Sequence, residues 1–183
     1  DGNGECFERG KVARGLEGKR AKRQLRLAIL PFHQRKSLQG VETMELGIIG
    51  LGRMGMNIAR RLARASHRVV AYNRSPEKAY SLANEEPKVV AVISLEEIST
   101  QLAPPRTAWI MVTAGEATEQ MIDELLDILN PNDVIIDGGN ANYRDTIRRA
   151  DKVDARGLHF VDVGTSGGVW GLTEGYSMIV GGK

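Results

Sequence analysis

Leu46-Gly47-Ile48-Ile49-Gly50-Leu51-Gly52-Arg53-Met54-Gly55 decides the fold: an apolar run, a glycine turn, then the start of a segment with helical periodicity. A GxGxxG pattern alone is common, whereas strand, glycine turn and helix in succession form the fingerprint of a dinucleotide-binding unit. Gly50 suits the tight turn, Gly52 lets a pyrophosphate approach the backbone, and Gly55 lets the helix pack on the strand. The free N–H groups and the positive dipole end of that helix then face the phosphates. The competing reading is a glycine-rich turn that binds nothing.

Outward from this stretch, strand and helix patterns alternate, which predicts a Rossmann-type α/β fold: a doubly wound, mainly parallel sheet. Strands are expected near 45–50, 68–73, 88–92, 107–113, 133–137 and 158–163. Helices are expected near 54–65, 76–84, 95–100, 116–129 and 142–156. Val134-Ile135-Ile136, bounded by Asn132-Asp133 and Asp137-Gly138-Gly139, has the β-branched character of a buried parallel strand. In the helix before it, Met121, Ile122, Leu125, Leu126 and Leu129 recur at helical spacing, with Glu119, Asp123, Glu124 and Asp127 expected on the opposite, solvated side. Pro131 helps to end that helix.

The formal net charge of +2 conceals an uneven distribution. Residues 1–43 hold 10 Lys+Arg and 5 Asp+Glu, whereas residues 44–183 hold 15 and 18. The chain therefore divides into a basic leader, 1–43, expected to be disordered or a short unstable helix, and a mildly acidic domain, 44–183. The leader reads as an upstream extension ahead of Met44, with a basic targeting or nucleic-acid arm as the alternative, and the start at Asp1 suggests a fragment. Bulk charge gives the domain no case for nucleic-acid binding, and an aromatic content of 5% offers few stacking platforms.

A single cysteine, Cys6, excludes an internal disulfide and a multi-cysteine metal cluster, in keeping with a cytoplasmic location. His33, His67 and His159 lack metal-ligand spacing, so no metal site is expected. No apolar run is long enough to span a bilayer. Leu25 to Phe32, interrupted by Arg26 and Pro31, makes a poor signal-peptide core.

The end of the second strand meets the adenosine ribose in such a fold, and an acid there favours NAD. This chain has Asn73-Arg74-Ser75 instead. Arg74 can hold a 2′-phosphate through charge-assisted hydrogen bonds, Asn73 and Ser75 can add neutral donors, and Lys78 can add charge. NADP is therefore expected over NAD. The alternative for Arg74 is a solvated loop residue.

Three further segments follow in order: Trp109-Ile110-Met111-Val112-Thr113-Ala114-Gly115, Asp137-Gly138-Gly139-Asn140 and Val163-Gly164-Thr165-Ser166-Gly167-Gly168-Val169-Trp170-Gly171. Together with the glycine loop they resemble decarboxylating 6-phosphogluconate dehydrogenase, in its shorter bacterial form, over residues 44–183. The resemblance implies oxidative decarboxylation of 6-phosphogluconate to ribulose 5-phosphate and CO2 in the pentose phosphate pathway. It implies that Gly50, Leu51, Gly52, Arg53, Met54, Gly55, Asn73, Arg74, Ser75, Val112, Thr113 and Ala114 contact NADP. Asn140 would lie beside both nicotinamide and substrate, and Ser166, Gly167 and Gly168 would hold the sugar acid. A glycine pair after a strand exposes N–H groups that, with the Ser166 hydroxyl, suit carboxylate and hydroxyl oxygens.

The reaction needs a positioned base and acid. In the family these are a lysine and a glutamate of a Lys-x-x-x-Asn-x-x-Glu helix, which this sequence does not contain, and Lys183 after Gly181-Gly182 does not match that motif. No catalytic residue is assigned, the family's all-helical domain is expected to be absent, and the chain alone is expected to be weakly active or inactive. The full-length protein would be a homo-oligomer and this chain alone a monomer. Two alternatives remain: a 3-hydroxyisobutyrate-type β-hydroxyacid dehydrogenase, from whose Gly-Ala motif ending Val169-Trp170-Gly171-Leu172 departs, and a non-catalytic NADPH-binding module. Trp170 suits a pocket wall or a domain boundary, and Asp162 a turn or strand-end partner.

Overall fold

A computed structural model describes residues 43–182. The leader through residue 42, with Cys6, Leu25 to Phe32 and His33, lies outside the described residues, as does Lys183.

Seven strands form one sheet in the order β3-β2-β1-β4-β5-β6-β7. They are β1 (Glu45–Ile49), β2 (Arg68–Tyr72), β3 (Val89–Val92), β4 (Thr107–Ile110), β5 (Val134–Asp137), β6 (His159–Ser166) and β7 (Ser177–Gly182). All neighbours run parallel except β7, which lies antiparallel to β6. Helices α1 (Arg53–Arg64), α2 (Glu77–Glu85), α3 (Leu95–Gln101), α4 (Glu116–Ile128) and α5 (Tyr143–Asp154) join the parallel strands. The expected Rossmann-type order is present, with its topological switch point between β1 and β4.

Strand alternation explains why the sheet is covered on both faces. Leu46 and Ile48 of β1, Val69 and Ala71 of β2 and Trp109 of β4 pack with Ile58 and Ala59 of α1 and with Leu82 of α2. The intervening residues Ile49, Val70, Ala108 and Ile110 pack with Ile98 of α3, Ile122 and Leu125 of α4 and Val153 of α5. At Gly47 a Cβ would stand 3.1 Å from Ile98, so the missing side chain lets α3 settle on β1.

The structure departs from the sequence expectations at the C-terminal ends of the strands. β4 stops at Ile110 rather than 113, leaving Val112 and Thr113 in a loop. β6 continues to Ser166, a 3-10 turn follows at Gly168–Leu172, and β7 was not expected at all. All six β7 residues are exposed, so Met178-Ile179-Val180 carries no inside–outside period from which a strand could be read.

Candidate functional site: a dinucleotide cleft at the switch point

A cleft of about 480 Å³ opens where β1, β2 and β4 end, a volume within the usual range for small-ligand sites. Gly50 and Gly52 line it from the glycine turn, Asn73, Arg74, Ser75 and Lys78 from the β2 end, and Val112 and Thr113 from the loop after β4. Gly50 has φ +97°, and a Cβ there would stand 2.8 Å from Met111 O. At Gly55 a Cβ would collide with Gly50 O, so glycine is what lets α1 start against the turn. A Cβ on Gly52 would meet open space, which leaves that backbone approachable. No side chain caps Gly52 and no acid occupies the first turn of α1, so its first N–H groups keep their hydrogen-bonding capacity for an anion.

The remaining expected cofactor residues lie around the cleft rather than on its lining. Leu51 is buried in the core, Gly55 is buried under the turn, Met54 is half-buried, and Arg53 and Ala114 are exposed. Asn73 lines the cleft, and its amide is a tie within the protein. Leu51 N donates to Asn73 Oδ1 (2.8 Å), and Asn73 Nδ2 donates to Ser75 O (3.0 Å), joining the glycine turn to the β2 end. Likewise the buried Thr118 hydroxyl donates to Thr113 O (3.0 Å), fixing the loop after β4.

A buried ionic network lies beneath the loops, and sequence reading missed it. Arg149 of α5 and Asp137 of β5 both have wholly buried side chains, and Arg149 Nη1 donates to Asp137 Oδ2 at 2.8 Å. Asp137 Oδ1 accepts from Gly139 N (2.9 Å), while Arg149 Nε donates to Glu119 Oε1 of α4 (2.6 Å). Burial works against the Glu119 carboxylate, but hydrogen bonds from Arg148 and Arg149 outweigh it and hold its pKa below the usual range. Asp162, opposite Asp137 in the β5–β6 register, is pushed up by burial and by the Asp137 charge, with Thr146 as its hydrogen-bond partner. Because β6 runs on to Ser166, Asp162 lies inside the strand rather than at the turn or strand end expected for it.

Asn140, Ser166, Gly167 and Gly168 form a second group, outside the cleft lining, at the ends of β5 and β6. Asn140 takes φ +55°, and its amide pairs with the backbone of Thr165: Thr165 N donates to Asn140 Oδ1 (2.8 Å) and Asn140 Nδ2 donates to Thr165 O (3.2 Å). The loop after β5 is thereby held against the Ser166 segment. Tyr176 sits where a Cβ on Gly171 would collide with its ring, and Arg61 Nη1 of α1 donates to Leu172 O (3.0 Å). Trp170, Ile179 and Val180 are exposed at this end of the molecule.

His67 Nδ1 accepts from Met44 N, and His159 is exposed. Among the described residues no cluster of His, Cys, Asp and Glu could hold a metal ion, and no helix is long and apolar enough to cross a membrane. Sequence reading also missed part of the cleft: Tyr72, and Ala117, Gln120, Met121 and Glu124 of α4. The signal is present in α4, where these four fall at i, i+3, i+4 and i+7, but helical periodicity assigns Met121 to the core and Glu124 to the solvated side.

Comparison with known proteins finds the same fold in dehydrogenases. A decarboxylating 6-phosphogluconate dehydrogenase of Staphylococcus epidermidis is 40% identical over 143 residues, covering 77% of this chain and 31% of the relative. The chain thus spans about a third of the length of the curated relatives it matches. A solved structure of Plasmodium falciparum 6-phosphogluconate dehydrogenase, studied free, with its cofactor NADP+ and with its substrate 6-phosphogluconate, superposes with a TM-score of 0.69. It is 28% identical, over 74% of this chain and 30% of that one. Mycobacterium tuberculosis 3-hydroxyisobutyrate dehydrogenase shares the fold at 23% identity, with a TM-score of 0.68 over 78% of this chain and 47% of that one. A family model described as the NAD binding domain of 6-phosphogluconate dehydrogenase matches residues 45–183, and the chain belongs to that family.

Proposed function

We propose that this chain is the NADP-binding part of a cytoplasmic oxidoreductase that converts 6-phosphogluconate to ribulose 5-phosphate and CO2 in the pentose phosphate pathway. The observation that carries the reading is Arg74, which lines the cleft at the β2 end where an acid would favour NAD. Neither Arg74 nor Lys78 forms an ion pair among the described residues, so both cations are available to a 2′-phosphate. The N–H groups at the start of α1 would hold the pyrophosphate, and Val112 and Thr113 would follow the chain toward the nicotinamide. When bound, NADP supplies the hydride acceptor for oxidation of the sugar-acid hydroxyl.

Asn140, Ser166, Gly167 and Gly168 would take the sugar acid, with the Asn140–Thr165 pairing holding the two loops in register. The exposed Trp170, Ile179 and Val180 suit the surface against which further parts of a longer, homo-oligomeric protein pack. Turnover by this chain alone is expected to be slow or absent, since each proton transfer needs a positioned acid or base and the family's Lys-x-x-x-Asn-x-x-Glu motif does not occur in these residues. Limited proteolysis in the presence of NADP tests the substrate: 6-phosphogluconate should protect the Ser166–Gly168 segment and 3-hydroxyisobutyrate should not. Equal protection by both would remove 6-phosphogluconate as the preferred substrate.

A further inference from the structure

The cleft has a wall that neither the pyrophosphate nor the ribose phosphate would occupy. Helix α4 turns Ala117, Gln120, Met121 and Glu124 toward it, a single stripe of the helix, while Arg74, Ser75 and Lys78 line the cleft from the β2 end. A dinucleotide with its pyrophosphate at Gly50 and Gly52 and its ribose at Arg74 carries its base between these two sets of residues. Ala117 and Met121 offer apolar contact to the face of a ring. Gln120 and Glu124 offer polar atoms to its edge.

Glu124 is the distinctive member of the stripe. An ionised carboxylate only accepts hydrogen bonds, so it selects a base edge that donates. Among the described residues Glu124 makes no hydrogen bond or ion pair, so its oxygens are uncommitted. Its charge acts within the cleft: burial first, and then the Glu124 and Glu96 carboxylates, push up the phenol of Tyr72, another lining residue.

We propose that Glu124 reads the base of the dinucleotide by accepting a hydrogen bond from the exocyclic amine of adenine. The inference rests on the nucleotide reading above and adds a determinant of base choice to the phosphate contacts. Hypoxanthine carries a carbonyl where adenine carries the amine, so at that position one acceptor would face another, and its N1–H donor is displaced from the place of the amine. Glu124 would therefore reject a hypoxanthine dinucleotide that is otherwise identical.

The test is calorimetric titration of the purified chain with NADP and with nicotinamide hypoxanthine dinucleotide phosphate. The unsubstituted chain should bind NADP about tenfold more tightly or better, the discrimination expected of a well-placed base-edge contact. Glu124→Gln, which can donate as well as accept, should narrow the preference to about twofold. Glu124→Ala should narrow it too, and circular dichroism should show both variants folded, because the residue is exposed on α4. Equal binding of the two dinucleotides by the unsubstituted chain would overturn this inference and leave the NADP reading standing. A preference that persists in both variants would do the same. Binding of neither dinucleotide would overturn the nucleotide reading, and this inference with it.

Discussion

Arg149 and Asp137 meet at 2.8 Å with both side chains wholly buried, and between them they fix the Asn140 loop and the start of α4. Asp137 holds Gly139 N at the start of the Asn140 loop, and Arg149 holds Glu119 in the first turns of α4. Removing one partner of such a pair strands a charge in the core. Arg149→Met should therefore lower unfolding free energy by about 3–5 kcal/mol. Pairing it with Asp137→Asn should restore much of the loss, since the orphaned carboxylate is then gone. Denaturant melts of the single and double variants check this, and a single-variant loss below about 1 kcal/mol, the scale of an exposed pair, would contradict it.

The same network gives stability an acid limb. Glu119 titrates below the usual range in the folded chain, so its contribution is complete above its unfolded value of about 4.3 and is lost as pH falls through the lower folded value. Asp162 has the opposite sign. Its folded pKa is raised, so its contribution is present at low pH and lost as pH rises through the folded value. Melts across pH should show a flatter acid limb for Glu119→Gln and a gain near neutrality for Asp162→Asn.

Close approach at the glycine turn is a separate test. A Cβ at residue 55 would collide with Gly50 O and come within 3.0 Å of the Met111 side chain. Gly55→Ala should cost about 1–3 kcal/mol through overpacking and weaken dinucleotide binding by shifting α1. An unchanged denaturation midpoint together with unchanged binding would show that the helix start has room to move.

Much of this was legible in the sequence, because each feature had a local signature. Gly50, Gly52 and Gly55 needed only the flanking strand and helix, and the α/β order needed only periodicity. What escaped depended on pairings between distant segments. Arg149 has no local signature in a polar helix, since its partners Glu119 and Asp137 come from α4 and β5. Glu124 read as solvated because a cleft wall and a solvent face look alike in a single helix. β7 lacked any period because both of its faces are exposed.

Asn73 shows how an expected contact can hold the frame of a site. Its amide is shared between Leu51 N and Ser75 O, so Asn73→Ala would leave the Leu51 N–H without its partner. The cost should be about 1–3 kcal/mol, the usual scale for a stranded donor. Because the tie supports the turn that both nucleotides share, NADP and NAD affinities should fall together. A loss confined to NADP would instead place the Asn73 amide on the 2′-phosphate.

Arg74 carries the central claim, that this cleft is built for NADP. The direct measurement is calorimetric titration of the purified chain and of Arg74→Ala with NADP and NAD. Loss of a charge-assisted contact to the 2′-phosphate should weaken NADP binding by about 1.5–3 kcal/mol and leave NAD binding nearly unchanged. An equal loss for both nucleotides, or no loss for either, would contradict the assignment.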